Sequence, residues 1–363
     1  MRSAAVIGTG AVGTSVALAL VRHGVSVYLE DSDSTAARTA EAMGAGSLEA
    51  VRAPVDLAVV AVPPARVAGV LARVQNGLLA RAYTDVAGLK AGARREVVSA
   101  GVDPSRYLGG HPLTGSGRPG PLAGRADLFE NRPWVLTPSA GTGRDVLNRV
   151  LELVALCGAT PVVMDGGEHD RSVALTSHAP HLVAALMAAR LEHAPPGSMR
   201  VLGQGVRDVT RGADGSPALW GEVLEANADA VADVLEAYGA DLDRAVQVLR
   251  ALGGGGPAAR EHAAAELDAL LRRGNRGHER VEERVEPGSR PAPGGLAAVT
   301  VTLSDRPGSL SRVFAAVGEA GVDIEDIRID HTPDQPQGLV ELRVRQETPA
   351  APDLSPDLSP ELH

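Results

Sequence analysis

Aromatic residues are scarce in this 363-residue chain: two Phe, two Trp and four Tyr make up 2% of it, although hydrophobic residues reach an ordinary 44%. Its cores must therefore be built from Ala, Val and Leu, and each aromatic that is present becomes a marker. Cysteine occurs once, at Cys157. That excludes an intramolecular disulfide framework and fits a buried structural thiol in a reducing cytoplasm. Lysine and arginine form no dense block, and the net charge is −10. A nucleic-acid surface needs concentrated positive charge to neutralise phosphates, so none is expected, although isolated arginines can still hold small anions. No charged-then-apolar leader opens the sequence and no apolar stretch reads as long enough to span a bilayer, so the protein is expected to be cytoplasmic, with no membrane partner.

The length accommodates two or three domains. Residues 4–7 read as a short apolar strand, followed by Gly8-Thr9-Gly10-Ala11-Val12-Gly13, a helical pattern through Arg22, and a second strand over 25–29 that ends in Glu30-Asp31. Strand, glycine turn, helix and strand at this spacing predict a nucleotide-binding βαβ unit. Buried strands over 57–62 and 82–86, with further strands at 134–136 and 161–164, extend it into a doubly wound α/β domain spanning residues 1–165. Beyond Gly167 the strand-like runs vanish. Apolar periodicity over 169–192, 199–204, 219–238 and 241–252 predicts an all-helical domain over 166–273, interrupted by the glycines and proline at 253–257. The polar residues 274–296 read as a linker. Residues 297–347 read as a small α+β unit with a strand to Leu303, a turn at Asp305-Arg306-Pro307-Gly308, a helix to Ala320, and strands over 322–330 and 338–344. Residues 348–363, which repeat Asp-Leu-Ser-Pro, read as a disordered tail.

In the first glycine turn, Gly8 allows a tight bend, Gly10 lets the backbone approach a pyrophosphate, and Gly13 permits close packing of helix on strand. The helix start at Ala11 and Val12 then faces the phosphates. Asp31, about 20 residues on, is placed to accept hydrogen bonds from a ribose hydroxyl pair; a solvated turn aspartate is the alternative. Its charge repels a 2′-phosphate and no arginine immediately follows it, which favours NAD over NADP. Val62 and Asp85, at the ends of the next two strands, complete the expected cofactor-binding set.

The segment Gly109-Gly110-His111-Pro112-Leu113-Thr114-Gly115 places a histidine in a glycine-rich turn at the sheet edge where ligands sit. A neutral imidazole there can receive a hydroxyl proton as a hydride leaves the adjacent carbon, while a loop histidine that caps backbone groups is the competing reading. Thr114 is counted with the substrate-binding candidates. His169, His178 and His181 invite a metal reading, but Pro180 disturbs the helix between the last two and no cysteines accompany them. Core or hydrogen-bonding roles are therefore favoured and no metal is expected. Arg207 and Arg211 are candidates for gripping carboxylates, against ordinary surface salt bridging. Trp220 either walls a pocket or packs a core.

Together these residues resemble the prephenate dehydrogenase family, in its bacterial form with an appended ACT-type domain. The resemblance rests on Gly8 to Gly13, Asp85-Val86-Ala87 with Lys90, Gly110-His111-Pro112, His169-Asp170-Arg171, Ser177-His178-Ala179-Pro180-His181, and Asp208-Val209-Thr210-Arg211 with Trp220. It implies a Rossmann-type domain, a helical domain that dimerises and completes the active site, and an ACT-like unit. It implies NAD-dependent oxidative decarboxylation of prephenate to 4-hydroxyphenylpyruvate in tyrosine or related aromatic biosynthesis. His111 would deprotonate the ring hydroxyl, Arg211 would bind a substrate carboxylate, and His181 and Arg207 would orient the side chain or second carboxylate.

Two departures from the family pattern stand out. Gly88 occupies the place of a serine that normally orients the catalytic histidine, and Gly117 that of a glutamate in the pocket's polar network. Their loss predicts slower catalysis, as expected of a base without its positioning bond, with Arg118 as a partial substitute for the missing glutamate. Arogenate or an amino-substituted prephenate is the alternative substrate, and a catalytically weak dinucleotide-binding sensor the alternative function. The proline-interrupted end of the ACT-like unit predicts truncation, with an amino-acid effector site weakened or lost.

Overall fold

A computed structural model describes residues 1–114, 120–282, 296–304, 313, 324–331 and 337–345. The expected turn at 305–308, the helix to Ala320, Gly117, Arg118 and the tail lie outside the described residues. The chain divides into two compact units, Met1–His169 with Pro291–His363, and Asp170–Arg290.

The first unit is organised by a seven-stranded sheet: β1 (Ser3–Ile7), β2 (Ser26–Glu30), β3 (Val55–Val60), β4 (Ala80–Asp85), β5 (Tyr107–Pro112), β6 (Pro133–Thr137) and β7 (Thr160–Val163). Their order is β2-β1-β3-β4-β5-β6-β7, and only β5 and β6 pair antiparallel. Helices α1 (Ala11–Arg22), α2 (Ser34–Ala42), α3 (Val67–Asn76), α4 (Ala91–Ser99) and α5 (Arg144–Leu156) alternate with the strands. Side chains of a strand point alternately to its two faces. Ala4 and Val6 accordingly join one cluster with Val16, Leu20 and Leu153, while Ala5 and Ile7 join another with Val67, Leu71 and Val74. A strand covered on both faces has no need of polar alternation, which is why these strands read as unbroken apolar runs. The scarce aromatics serve the core: Trp134 and Phe129 are fully buried, with ring centroids 5.1 Å apart and planes tilted by 48°.

Because β1 lies between β2 and β3, the strand order reverses there, and a crevice opens beyond the carboxyl ends of the strands. The glycine turn after β1, Val62 after β3 and Gly88 after β4 follow these strand ends in sequence. His111 lies inside β5, paired with Val135 of β6, rather than beyond the strand as the sequence suggested.

The second unit is helical. Helix α6 (Gly166–Val173), whose residues up to His169 belong to the first unit, runs through a π-helical turn (Ala174–His178) into α7 (Ala179–Ala189). Then come α8 (Pro196–Met199), α9 (Gln204–Thr210), a 3-10 turn (Arg211–Ala213), α10 (Pro217–Ala226), α11 (Ala228–Gly254) and α12 (Pro257–Glu282). Three expectations are corrected. The helical run expected at 199–204 is instead the end of α8, a gap at 200–203 and the start of α9. The break expected near 239–240 falls at Asn227, whose side chain is engaged elsewhere. The linker does not begin at 274: α12 continues to Glu282, its ion pair of 2.6 Å between Arg273 and Asp241 fastening it to α11, and glycines at 274 and 277 without a proline weaken a helix but do not end it. The sequence also suggested no span-length apolar stretch, yet the run Gly166–Ala189 is long and apolar enough to cross a membrane by length and composition, the one such helix among the described residues. A core helix of a folded helical domain meets the same test, and Asp170 and His178 within it are buried with hydrogen-bond partners.

Strands β8 (Leu296–Ser304), β9 (Ile324–His331) and β10 (Gln337–Arg345) form an antiparallel sheet in the order β8-β10-β9, close to the expected spans.

Candidate active site

The glycine turn is shaped by contacts that leave no room for side chains. Gly8 has φ +102°, and a Cβ on it would stand 2.2 Å from the carbonyl oxygen of Ala61 and 3.2 Å from Val62 Cγ1. A Cβ on Gly13 would stand 1.9 Å from the Gly8 carbonyl oxygen. Gly10 is the opposite case: a Cβ there would meet nothing within 4 Å, so its backbone borders open space at the start of α1. Gly10 caps α1 without a side chain, and no acidic residue occupies the first turn. With Ala11 buried and Val12 half-buried, this helix start suits an anionic diphosphate. Val62 is half-buried and packs under the turn.

At the end of β2, Asp31 Oδ2 accepts hydrogen bonds from the Thr9 amide (2.6 Å) and hydroxyl (2.8 Å), and Oδ1 accepts one from the Asp33 amide (2.8 Å). Burial works to raise its carboxyl, but these bonds outweigh burial and hold it below the usual carboxylate range. An ionised acceptor thus sits beside the glycine turn, where a ribose diol of a dinucleotide belongs. The residues present fit that group.

Asp85 is corrected. It is fully buried, and its oxygens are taken by Lys90 Nζ (2.5 Å), the Ala87 amide (2.8 Å) and the Tyr107 hydroxyl (2.5 Å). It ties strand ends together instead of touching a cofactor. Burial pushes the Tyr107 hydroxyl well up, and the Asp85 charge and hydrogen bond push it further, so it remains a donor. Lys90 Nζ also donates to the carbonyl of Gly110 (2.6 Å), joining the loop after β4 to the residue before His111. The paired glycines before His111 are required by close approach: a Cβ on Gly109 would lie 2.9 Å from Thr137 Oγ1, and one on Gly110 2.9 Å from both the Asp85 carbonyl oxygen and Trp134 Nε1.

His111 is half-buried. Its Nδ1 lies 2.9 Å from Nε2 of His169, the rings meeting edge-on with centroids 5.1 Å apart and planes at 75°. His169 has no exposed surface. It projects from the first turns of α6, which Asp165 caps by accepting from the Gly167 (2.8 Å) and Glu168 (3.4 Å) amides. On the other side of the imidazole, a Cβ at Gly88 would stand 3.7 Å from Nε2. The position of the missing serine therefore lies beside Nε2, while Nδ1 faces a residue the sequence had placed in a histidine trio. Thr114 is half-buried just after β5, its amide donating to the Pro112 carbonyl at 2.8 Å.

In the helical unit, His181 stacks on Trp220 with centroids 3.6 Å apart and planes 9° from parallel, and His178 meets the same indole edge-on at 6.2 Å. A Cβ on Gly215 would lie 2.6 Å from Trp220 Nε1, so only a glycine lets the chain pass there. His178 is buried, with Nδ1 3.1 Å from Asn227 Nδ2, which also donates to the Asp170 carbonyl (2.8 Å). That double use explains why Asn227 interrupts α10 and α11. The π turn precedes Pro180, which lacks the amide an α-helix would use there. Arg207 and Arg211, four residues apart where α9 passes into the 3-10 turn, are exposed, and neither is paired with a carboxylate among the described residues. Among the described residues no group of three or more His, Cys, Asp or Glu could hold a metal.

Sequence reasoning missed three members of this arrangement: His169 as the partner of His111, Tyr107 as a donor to Asp85, and Asn227. Only His169 had a usable signal, its place in a His-Asp-Arg motif; its separation of 58 positions from His111 offered no local cue.

Three family models match successive parts of the chain. Residues 16–163 match the family model described as prephenate dehydrogenase, nucleotide-binding domain; residues 165–261 match its dimerization domain; residues 293–358 match the ACT domain. The chain is 44% identical over 346 residues to a protein of Streptomyces niveus named probable prephenate dehydrogenase NovF, covering 95% of this chain and 94% of that protein. It is 30% identical over 254 residues to the cyclohexadienyl dehydrogenase of Zymomonas mobilis, covering 66% of this chain and 86% of that one. A solved structure of prephenate dehydrogenase from A. aeolicus, in complex with hydroxyphenyl propionate and NAD+, shares the fold at TM-score 0.66 and 22% identity, over 77% of this chain and 98% of that one.

Proposed function

Because the chain belongs to the prephenate dehydrogenase family, we propose that it catalyses the NAD-dependent oxidative decarboxylation of prephenate to 4-hydroxyphenylpyruvate. The observation that carries this reading is His111 at the carboxyl end of β5, held through Nδ1, in the same unit as a glycine turn and Asp31 that fit a dinucleotide. NAD, when bound, accepts a hydride. His111 Nε2 takes the proton of the ring hydroxyl as the hydride leaves the carbon that bears it, and that carbon–oxygen bond becomes a carbonyl. The bond from the ring to its carboxylate then breaks, carbon dioxide departs, and the electron pair passes through the ring to oxygen, where a proton returns to give the phenol. Aromatisation drives the step.

Prephenate carries two carboxylates, which a net-acidic protein holds only with local cations. The exposed Arg207 and Arg211, with no carboxylate partner among the described residues, support roles in gripping them, and the stacked pair of His181 and Trp220 supports a flat wall for the side chain. Thr114 is assigned to the same substrate. The unit's apolar side chains Tyr238, Leu242 and Leu249 on α11 and Leu186 on α7 are 47–60% exposed, which supports a homodimer through this domain. The ACT match at 293–358 supports an ACT-like unit, whose proline-interrupted end leaves an amino-acid effector site weakened or lost, and the buried lone thiol Cys157, pushed well up by burial, agrees with a cytoplasmic location. A steady-state assay of NADH formation with prephenate and with arogenate tests the reading. Prephenate should be strongly preferred; equal turnover of the two contradicts the assignment of Arg207 and His181, and no NADH from either favours a dinucleotide-binding sensor.

A further inference from the structure

The pair of His111 and His169 has a direction that function requires. A histidine that accepts a proton at Nε2 must carry its own proton on Nδ1, and the group facing Nδ1 decides whether it does. His111 Nδ1 faces His169 Nε2 at 2.9 Å. If His169 Nε2 donates, His111 becomes protonated at Nε2 and has no lone pair for the substrate. If His169 Nε2 accepts, the lone pair of His111 is on Nε2, the nitrogen nearest Gly88. We infer that His169 is a positioning residue that accepts a hydrogen bond from His111 Nδ1–H, fixing the tautomer and ring orientation in which Nε2 acts as base.

Three features support this role. His169 has no exposed surface, so water does not compete for the bond. The start of α6 is seated on the loop after β4, where a Cβ on Gly166 would lie 3.4 Å from Lys90 Cβ, and Lys90 in turn holds the Gly110 carbonyl. One buried ion pair, Lys90 with Asp85, thus borders the segments that carry both histidines. The residue expected to orient His111 is replaced by Gly88, so orientation comes from the opposite side of the ring. The inference rests on the proposed role of His111 as base, and its test separates the two.

Nitrogen-15 NMR of the histidine side chains in the full-length protein, with the His111 signals identified by their loss in His111→Asn, reads the tautomer without any turnover. The parent should show His111 protonated at Nδ1, and His169→Phe should move most of it to the Nε2-protonated form. With prephenate and NAD, His169→Phe should lower kcat by roughly 100-fold while KM stays within about twofold of the parent. His169→Gln, whose side-chain oxygen still accepts, should recover most of kcat. An Nε2-protonated His111 in the parent, or a His169→Phe variant with parental kcat, overturns the inference. A parent with the expected tautomer but no turnover of prephenate leaves the positioning intact and instead defeats the assigned reaction.

Discussion

The glycine turn and the surroundings of His111, both in the first unit, are built by different means. Around the glycine turn, the determining contacts join residues close in sequence: Gly13 against Gly8, and Thr9 against Asp31 across one βαβ unit. Around His111, they join β4, β5 and the start of α6: Asp85 with Tyr107, Lys90 with Gly110, and His111 with His169. The first arrangement tolerates change elsewhere, because its geometry is dictated by backbone sterics within one motif. The second depends on a buried polar network in which every member has a partner, and such a network fails as a unit.

The comparison breaks most visibly at His111. His111→Asn should reduce kcat by about 1000-fold with NAD affinity, followed by nicotinamide fluorescence quenching, unchanged; a parallel loss of NAD binding would show that the two sides are not independent. Next in size is Lys90→Met, which strands a buried carboxylate and removes the donor to Gly110. Urea denaturation should report a loss of about 3–5 kcal/mol, and replacing Asp85 by Leu as well should restore part of it.

Asp31→Ala should weaken NAD binding by roughly tenfold or more, as expected of lost bonds to a charged acceptor, with kcat at saturating NAD little changed. The sign of its pH dependence follows from a depressed carboxyl. The stabilisation of the turn by ionised Asp31 is fully present above its unfolded value of 3.8 and is lost as pH falls through the lower folded value. NAD affinity should accordingly be insensitive to this group at neutral pH, and acid titration of the parent against Asp31→Asn checks it. The smallest effect is expected for Gly88→Ser. Its Cβ would make only ordinary contact with His111, so stability should stay within about 0.5 kcal/mol and kcat should rise by no more than roughly tenfold; a large fall in kcat would show that the space beside Nε2 is itself needed by the substrate.

Much of the fold was legible because its signals are local. Unbroken apolar strands, the glycine turn and the change to helical periodicity after Gly167 placed the doubly wound sheet and the helical domain. The misses have a common cause. Asn227 ended a helix through a side chain committed to His178 and Asp170, the continuation of α12 past Gly274 was fastened by an ion pair to α11, and His111 fell within β5 because β6 pairs against it. None of these partners lies within a sequence window. Asp85 read as a cofactor contact from its position at a strand end, yet whether a carboxylate there points outward or inward depends on the presence of Lys90 and Tyr107 around it.

The sequence by itself determined the nucleotide cradle, because glycine sterics and a strand-end carboxylate act over one motif and leave few alternatives. It also marked the residues proposed to carry chemistry: His111 for the proton, and Arg207 and Arg211 for the carboxylates. Only the tertiary structure decided what holds His111, since a hydrogen bond between side chains 58 residues apart exists only once Gly166 to His169 pack beside Lys90, on the loop after β4. Lys90 is in turn held by its buried ion pair with Asp85.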